Sequence, residues 1–282
     1  MSDLSVVTIV RNRARHLSRL ITGLAVSDML PRELIVVDMS DVPVNLPKLG
    51  FSVCRIAFNT GSLPLAAARN AGAHAASGTR LLFLDVDCIP RRNLVAAMDR
   101  ELVAADALIC PEVRYLGPDG ANHMDDAALD RASVRHPVRS FPGSGSRIEP
   151  NAGLFWSLTF GIRRASFEAL GGFDEGYEGY GAEDTDFGFR AKEAGLPLQF
   201  LGGTGSFHQH HGVMSPPLQH LADIVRNANR FHARWGICPM DGWLQQFAAM
   251  GLIRCDNDMW QLLRLPTSAE IAAATQPPSV YF

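Results

Sequence analysis

RLLFLDVDCIP, residues 80–90, decides the fold: an apolar run of four residues leads straight into two carboxylates separated by one valine. An unbroken run such as LLFL reads as a central strand buried on both faces, the form strands take in a parallel sheet covered by helices. Asp85 and Asp87 follow at i and i+2, so on an extended chain they share one face. Open α/β sheets bind ligands in the crevice beyond the carboxyl ends of their strands, and two hard oxygen donors there suit Mg²⁺ or Mn²⁺ bridging a diphosphate. A strand end whose polar residues only cap the next helix has the same local sequence, so the surroundings must arbitrate.

Around this stretch, β-branched runs alternate with alanine- and leucine-rich ones. Strands are expected at 5–10 (SVVTIV), 33–38 (ELIVVD), 52–57 (SVCRIA), 80–85 and 107–112 (ALICPE), with helices over 13–25, 63–76 and 92–105. This is a β-α-β series, hence an α/β chain with a mostly parallel central sheet flanked by helices. SFPGSGSRIEP (140–150) breaks the alternation and reads as a loop. A strand at WSLTFGI (156–162), a short helix at 164–172, a glycine-rich loop at 176–182 and a helix over 185–195 follow. From Pro216 onward the pattern is helical, over 218–236, 239–251 and 257–264, and the tail over 268–282 is expected either to pack loosely or to fray.

The 282 residues are 47% hydrophobic and 20% charged, which is globular composition, and the net charge of -3 gives no pull toward nucleic acid. No apolar run approaches the roughly 20 residues that span a bilayer. MSDLSVVTIVRNRAR has no cationic segment ahead of an apolar one, unlike a signal peptide. Five scattered cysteines with no C-x-x-C pair argue against a disulfide framework and a zinc site, so a reduced, cytoplasmic location is expected. Arg226, Arg230 and Arg234 recur every four residues and face either lipid phosphates or water. A peripheral membrane contact therefore stays open, as does a homodimer built on Trp235, Trp243, Phe247, Met250 and Trp260.

Three more clusters carry chemistry. Asp38 ends the second strand as Asp85 ends the fourth; it can accept from a nucleobase N–H or simply open the turn Met39-Ser40-Asp41. The first strand is followed by VRNRARH, not by G-x-G-x-x-G, which counts against a dinucleotide-binding domain. In GYGAEDTDFGFRAKEAG (179–195), Glu183, Asp184 and Asp186 crowd the start of a helix, whose positive end keeps carboxylates ionised. Ionised is what a general base must be, yet acidic helix starts are common without any function. FHQHH (207–211) places three imidazoles in four residues, a ligand set for a divalent metal or a solvated loop.

In this order and spacing, VVTIVRNR (6–13), LIVVDMSD (34–41), AARNAGAHAASG (67–78), FLDVDCIP (83–90), GGFDEGYEGYGAEDTDFGFRAKEAG (171–195) and FHQHH resemble the GT-A glycosyltransferases. The resemblance is to the family 2 type with the carboxy-terminal segment of β-1,4-galactosyltransferases and polypeptide N-acetylgalactosaminyltransferases. It implies a GT-A catalytic domain over 1–215, with a nucleotide-binding half (1–112) and an acceptor half (113–215), and a helical extension over 216–282. It further implies that Thr8, Val10, Arg11 and Asp38 hold the uracil and ribose of a UDP-sugar, that Arg69 approaches the nucleotide or sugar, and that Asp85 contacts ribose or donor sugar. Asp87 and His208 would bind Mn²⁺ or Mg²⁺, with His210 and His211 as alternatives to His208. Asp184 would be the catalytic base of an inverting transfer to a glycan, glycolipid or small-molecule hydroxyl, and Glu183 would touch acceptor or donor hydroxyls. Trp156 and Phe160 would stack on a sugar ring or belong to the core. A nucleotidyltransferase and a non-catalytic sugar-nucleotide- or glycan-binding module are the rival readings; the first wants a glycine-rich phosphate loop, and the second has no need of Asp184.

Overall fold

The structure, a computed structural model, describes residues 2–58, 63–122 and 124–281. The amino-terminal half runs β1 (Leu4–Val10), α1 (Ala14–Ala25), β2 (Glu33–Asp38), β3 (Ser52–Ala57), α2 (Leu65–Ala75), β4 (Arg80–Leu84), β5 (Cys88–Pro90), α3 (Leu94–Ala104) and β6 (Leu108–Leu116). Then come α4 (Asp126–Arg131), β7 (Ser133–Arg135), β8 (Gly145–Ile148), β9 (Thr159–Arg163), α5 (Arg164–Ala169), α6 (Glu183–Glu193) and β10 (Leu198–His208). The chain finishes with α7 (Leu221–Trp235), α8 (Asp241–Ala249), β11 (Ile253–Asp256), β12 (Met259–Leu262) and α9 (Ser268–Ala273).

The main sheet has the order β3-β2-β1-β4-β9-β6-β10-β5, with β7 added to β6 and β8 to β10. β1 to β4 are mutually parallel, β9 runs antiparallel to β4 and β6, and β6 and β10 are parallel. The sheet is thus mixed in its second half, where the β-α-β series gives way. One apolar cluster gathers Val6, Leu34 and Leu82 with α1 and α3; the other gathers Val7, Ile35 and Phe83 with α2 and α6. These are alternate residues of the same strands, so the apolar runs are buried on both faces as the sequence requires.

Two expectations are corrected. The loop over 140–150 contains β8, which pairs with β10. Residues 257–264 form a hairpin arm instead of a helix: Asn257 and Asp258 both take positive φ (48° and 63°) and turn β11 into antiparallel β12. Two adjacent left-handed residues favour such a turn, and Asn and Asp tolerate them. Of the two outcomes open for the tail, packing is the one found over its described residues, since Gln276 N–H bonds to Val213 O at 2.9 Å and Tyr281 packs on Gly117. The glycines of FLGGTGSFH conceal β10, the longest strand among the described residues. Gly205 sits where its register against β6 shifts, and a Cβ there would lie 1.8 Å from Glu112 O.

Gly72 shows how closely α2 rides the sheet, because an added Cβ would meet Val7 Cγ1 at 2.4 Å and Val37 Cγ2 at 3.0 Å. Gly72→Ala gains up to about 1 kcal/mol of helix propensity but forces two β-branched core residues apart, which costs roughly 1–3 kcal/mol. The expected outcome is net destabilisation, read by urea denaturation; a more stable variant would contradict the packing.

Phe160 belongs to this core. It is fully buried and stacks on Phe83 with centroids 4.5 Å apart and planes at 6°. Phe155, Phe173 and Phe187 close around it, so it has no face to offer a sugar. Trp235, Phe247 and Trp260 likewise pack locally. The three arginines of α7 are tied to the protein: Arg226 to Asp223, Arg230 to Asp174, and Arg234 to Asp174 and Asp186. Among the described residues, no helix is long and apolar enough to cross a membrane.

Candidate active site

The D-x-D pair forms the turn between β4 and β5. Cys88 N–H bonds back to Asp85 O at 2.8 Å, and β5 then pairs antiparallel with the end of β10, Cys88 opposite His208. Gln209 N–H donates to Asp87 O at 2.7 Å, which locks the two segments together. Residues far apart in sequence are thereby neighbours: Asp87, His208 and His211 present ligand atoms within 4.8 Å of one another. His211 is a donor that the sequence left open, while His210 contributes its carbonyl, 3.5 Å from His16 Nε2.

These atoms suit a divalent cation. Asp87 is buried, and its Oδ1 has no hydrogen-bond partner among the described residues, an arrangement costly to maintain unless something else satisfies it. Burial pushes the Asp87 carboxyl up, against the pull of Arg13 and His211. Burial and the nearby positive charge of His211 and Arg13 push His208 down to about 3, leaving the neutral imidazole a metal needs. Arg13, which the sequence reading did not single out, forms an ion pair through Nη1 with Asp87 Oδ2.

Asp85 stands behind this group. Burial pushes its carboxyl up to about 6, opposed by Arg69 and reinforced by Asp87. Arg69 is buried on α2, donates to Glu183 Oε1 at 2.9 Å and lies 5.3 Å from the Phe173 ring centroid. It also feels the charges of Asp85 and Asp184, so one guanidinium links the D-x-D turn to the start of α6. Glu183 itself is buried and held by Arg69; burial, together with the neighbouring charge of Asp184, raises its carboxyl against the pull of Arg69.

Asp184 is more open than Glu183. Its Oδ1 accepts from Thr185 N–H at 2.7 Å and its Oδ2 from Ser157 N–H at 3.3 Å. Ala182, two residues before it and just ahead of α6, takes a left-handed φ of 71°, turning the glycine-rich loop abruptly into the helix. Asn227 of α7 clamps that loop from outside, its Nδ2 donating to the carbonyls of Glu178, Tyr180 and Gly181. Trp156, next to Ser157, is half-buried, edge-on to His136 at 4.8 Å and 5.0 Å from the Arg139 guanidinium. The structure therefore places Trp156 beside Ser157, whose N–H meets Asp184, and leaves Phe160 in the core.

The other expected donor contacts are less open. The side chains of Thr8 and Val10 are buried in the sheet, and Arg11 is half-buried at the end of β1. Asp38 is buried, with Ser40 N–H and Val44 N–H donating to it at 3.0 and 2.9 Å and Arg55 Nη1 at 3.1 Å. Burial raises its carboxyl, but these hydrogen bonds outweigh burial and the net direction is down. A group depressed on folding contributes stability above its unfolded value that is lost as pH falls through the folded one. Thermal melting should therefore show an Asp38-dependent loss beginning below pH 3.8, and Asp38→Asn should flatten that limb of the profile.

This arrangement, a mixed sheet with a D-x-D turn at its carboxyl rim and an acidic helix start beside it, defines the GT-A class of fold. The crystal structure of GalNAc-T7 with UDP, GalNAc and Mn²⁺ matches with a TM-score of 0.52 at 20% identity, over 74% of this chain and 43% of that one. Staphylococcus aureus TarS 1–349 in complex with UDP-GlcNAc matches at 0.54 and 16%, over 87% and 76%. The profile of glycosyl transferase family 2 matches residues 5–171, and the chain belongs to that family. A second profile, described as the N-terminal domain of galactosyltransferase, matches residues 146–212. The pre-mycofactocin glycosyltransferase of Mycobacterium tuberculosis is 30% identical over 205 residues, 70% of this chain and 41% of the relative. The validoxylamine A glucosyltransferase of Streptomyces hygroscopicus is 28% identical over 153 residues, 48% and 36%. The chain thus spans less than half the length of these curated relatives.

Proposed function

We propose that the protein is an inverting, metal-dependent glycosyltransferase that moves a sugar from a UDP-sugar to an acceptor hydroxyl, with Asp184 as general base. The observation that carries this reading is Arg69, which lies within electrostatic reach of Asp85, Glu183 and Asp184 together and so joins the donor rim to the base. The UDP and UDP-GlcNAc of the GalNAc-T7 and TarS structures support uridine donors, and the curated relatives support sugar transfer.

Asp87, His208 and His211 would hold the cation, which when bound supplies positive charge against the departing diphosphate. Two imidazoles beside one carboxylate favour Mn²⁺ over Mg²⁺. Asp184 removes the proton from the acceptor oxygen as that oxygen attacks the anomeric carbon, while Ser157 and Thr185 fix the carboxylate's orientation. Each carboxylate oxygen has two acceptor sites, so these hydrogen bonds leave room for the incoming proton. Glu183 holds Arg69 in place. Trp156 offers a ring to the acceptor sugar.

The test is a panel of UDP-sugars with Mn²⁺, read by UDP release and by NMR of the product's anomeric configuration. Transfer with inversion is the expected result. A protein that binds UDP yet neither transfers nor hydrolyses any donor is a binding module, and a product retaining the donor's configuration removes the single-displacement mechanism.

A further inference from the structure

Arg13 and Arg69 both serve the carboxylates of the site, but their attachments differ. Arg69 is held at its guanidinium by Glu183 and by the Phe173 ring, with only 7% of its side chain exposed. Arg13 has 37% of its side chain exposed and ends on Asp87 Oδ2. It immediately precedes α1 and provides no side-chain cap to that helix, so moving its tip costs the helix nothing. Its base is fixed: Asn12 N–H donates to Ser40 Oγ at 2.9 Å, Asn12 Nδ2 to Asp41 Oδ2 at 2.7 Å, and Asp41 N–H returns to Asn12 Oδ1 at 3.0 Å.

The result is a rigidly rooted arm with a movable cationic end, lying on an oxygen of the carboxylate that is shared with His208 and His211. A divalent cation and a guanidinium on one carboxylate repel each other. We propose that Arg13 is an exchangeable counter-ion: without a cation it neutralises buried Asp87, and when a divalent cation takes Asp87 the freed guanidinium engages the diphosphate of the donor. This rests on the metal and nucleotide reading above. It explains how a buried carboxylate stays compensated before the cation arrives, since an unpaired buried charge is costly. It also makes Arg13 a positioning residue whose two partners are used in turn.

The signature is a pair of shifts of opposite sign in Arg13→Gln. Mn²⁺ binding without nucleotide, followed by electron paramagnetic resonance of the free ion, should tighten about tenfold, because the competing guanidinium is gone. UDP binding at saturating Mn²⁺, followed by calorimetry, should weaken about tenfold, because a charge-assisted hydrogen bond to phosphate is lost. Arg13→Lys, which keeps the charge without the fork, should fall between wild type and Arg13→Gln on both measures. Unchanged Mn²⁺ affinity, or both affinities weakened together, overturns the exchange and leaves Arg13 an ordinary structural ion pair. Asp87→Asn in both backgrounds reports on the site itself: it should abolish Mn²⁺ binding, and binding that survives it overturns the metal reading and the exchange with it.

Discussion

Asp184→Asn should lower transfer about 10²–10⁴-fold, the usual loss when a positioned general base is removed, with UDP and Mn²⁺ binding close to wild type. Asparagine is nearly isosteric, and its carbonyl oxygen can still accept from Ser157 N–H or Thr185 N–H, so α6 should begin where it does now. The contrast is with Glu183→Gln, which weakens the buried pair with Arg69 and acts on the architecture joining the two halves of the site. Steady-state kinetics at saturating donor, with circular dichroism as the check on folding, separates these effects. Full activity in Asp184→Asn would remove the base assignment while leaving the family assignment untouched.

Asp186→Ala should be the most damaging change to stability near the site, costing about 3–5 kcal/mol, the cost of breaking a buried ion pair from one side. The carboxylate is fully buried. It accepts from Arg190 Nε at 2.7 Å, Trp235 Nε1 at 2.9 Å and Tyr177 OH at 3.3 Å, with Arg234 Nη1 3.5 Å away. Its removal leaves the Arg190 Nε–H, the half-buried Trp235 indole N–H and the buried Tyr177 hydroxyl without this acceptor, and domains of this kind hold only about 5–15 kcal/mol in total. Chemical denaturation measures the loss directly. A change below about 1 kcal/mol would mean that water reaches these donors and that the hub is looser than its geometry.

The same residue shows where the sequence stops being readable. Among the four carboxylates of 179–195, Glu193 reads as surface and is exposed, whereas Asp186 reads as a first-turn stabiliser and is the centre of a buried network. Its decisive partners, Arg234 and Trp235, come from α7 some 50 residues later, beyond the reach of local pattern. The strands of the first half were legible because runs such as LIVV and LLFL are buried on both faces and advertise it. β10 was not, because the glycines that admit Pro142 and Glu112 against its backbone also imitate a loop. The histidine cluster was visible, but which of its imidazoles come beside Asp87 was decided by the pairing of Cys88 with His208 and by the turn that returns His211 to Asp87. Arg13 stayed hidden since a lone arginine after a strand has no periodicity to mark it.

The Asn227 clamp draws a boundary that the two family profiles do not. The two family profiles stop at residues 171 and 212, before α7 begins. Yet three carbonyls of the loop that launches α6 are satisfied by one amide on α7, and Asp186 takes two of its partners from the end of that helix. The segment these profiles match is therefore shorter than the unit that holds the acidic helix start in place. A chimera cut at the edge of the profiles would inherit the D-x-D turn and the histidines but not the support beneath Asp184, and the smallest portable piece of this protein extends at least to Trp235.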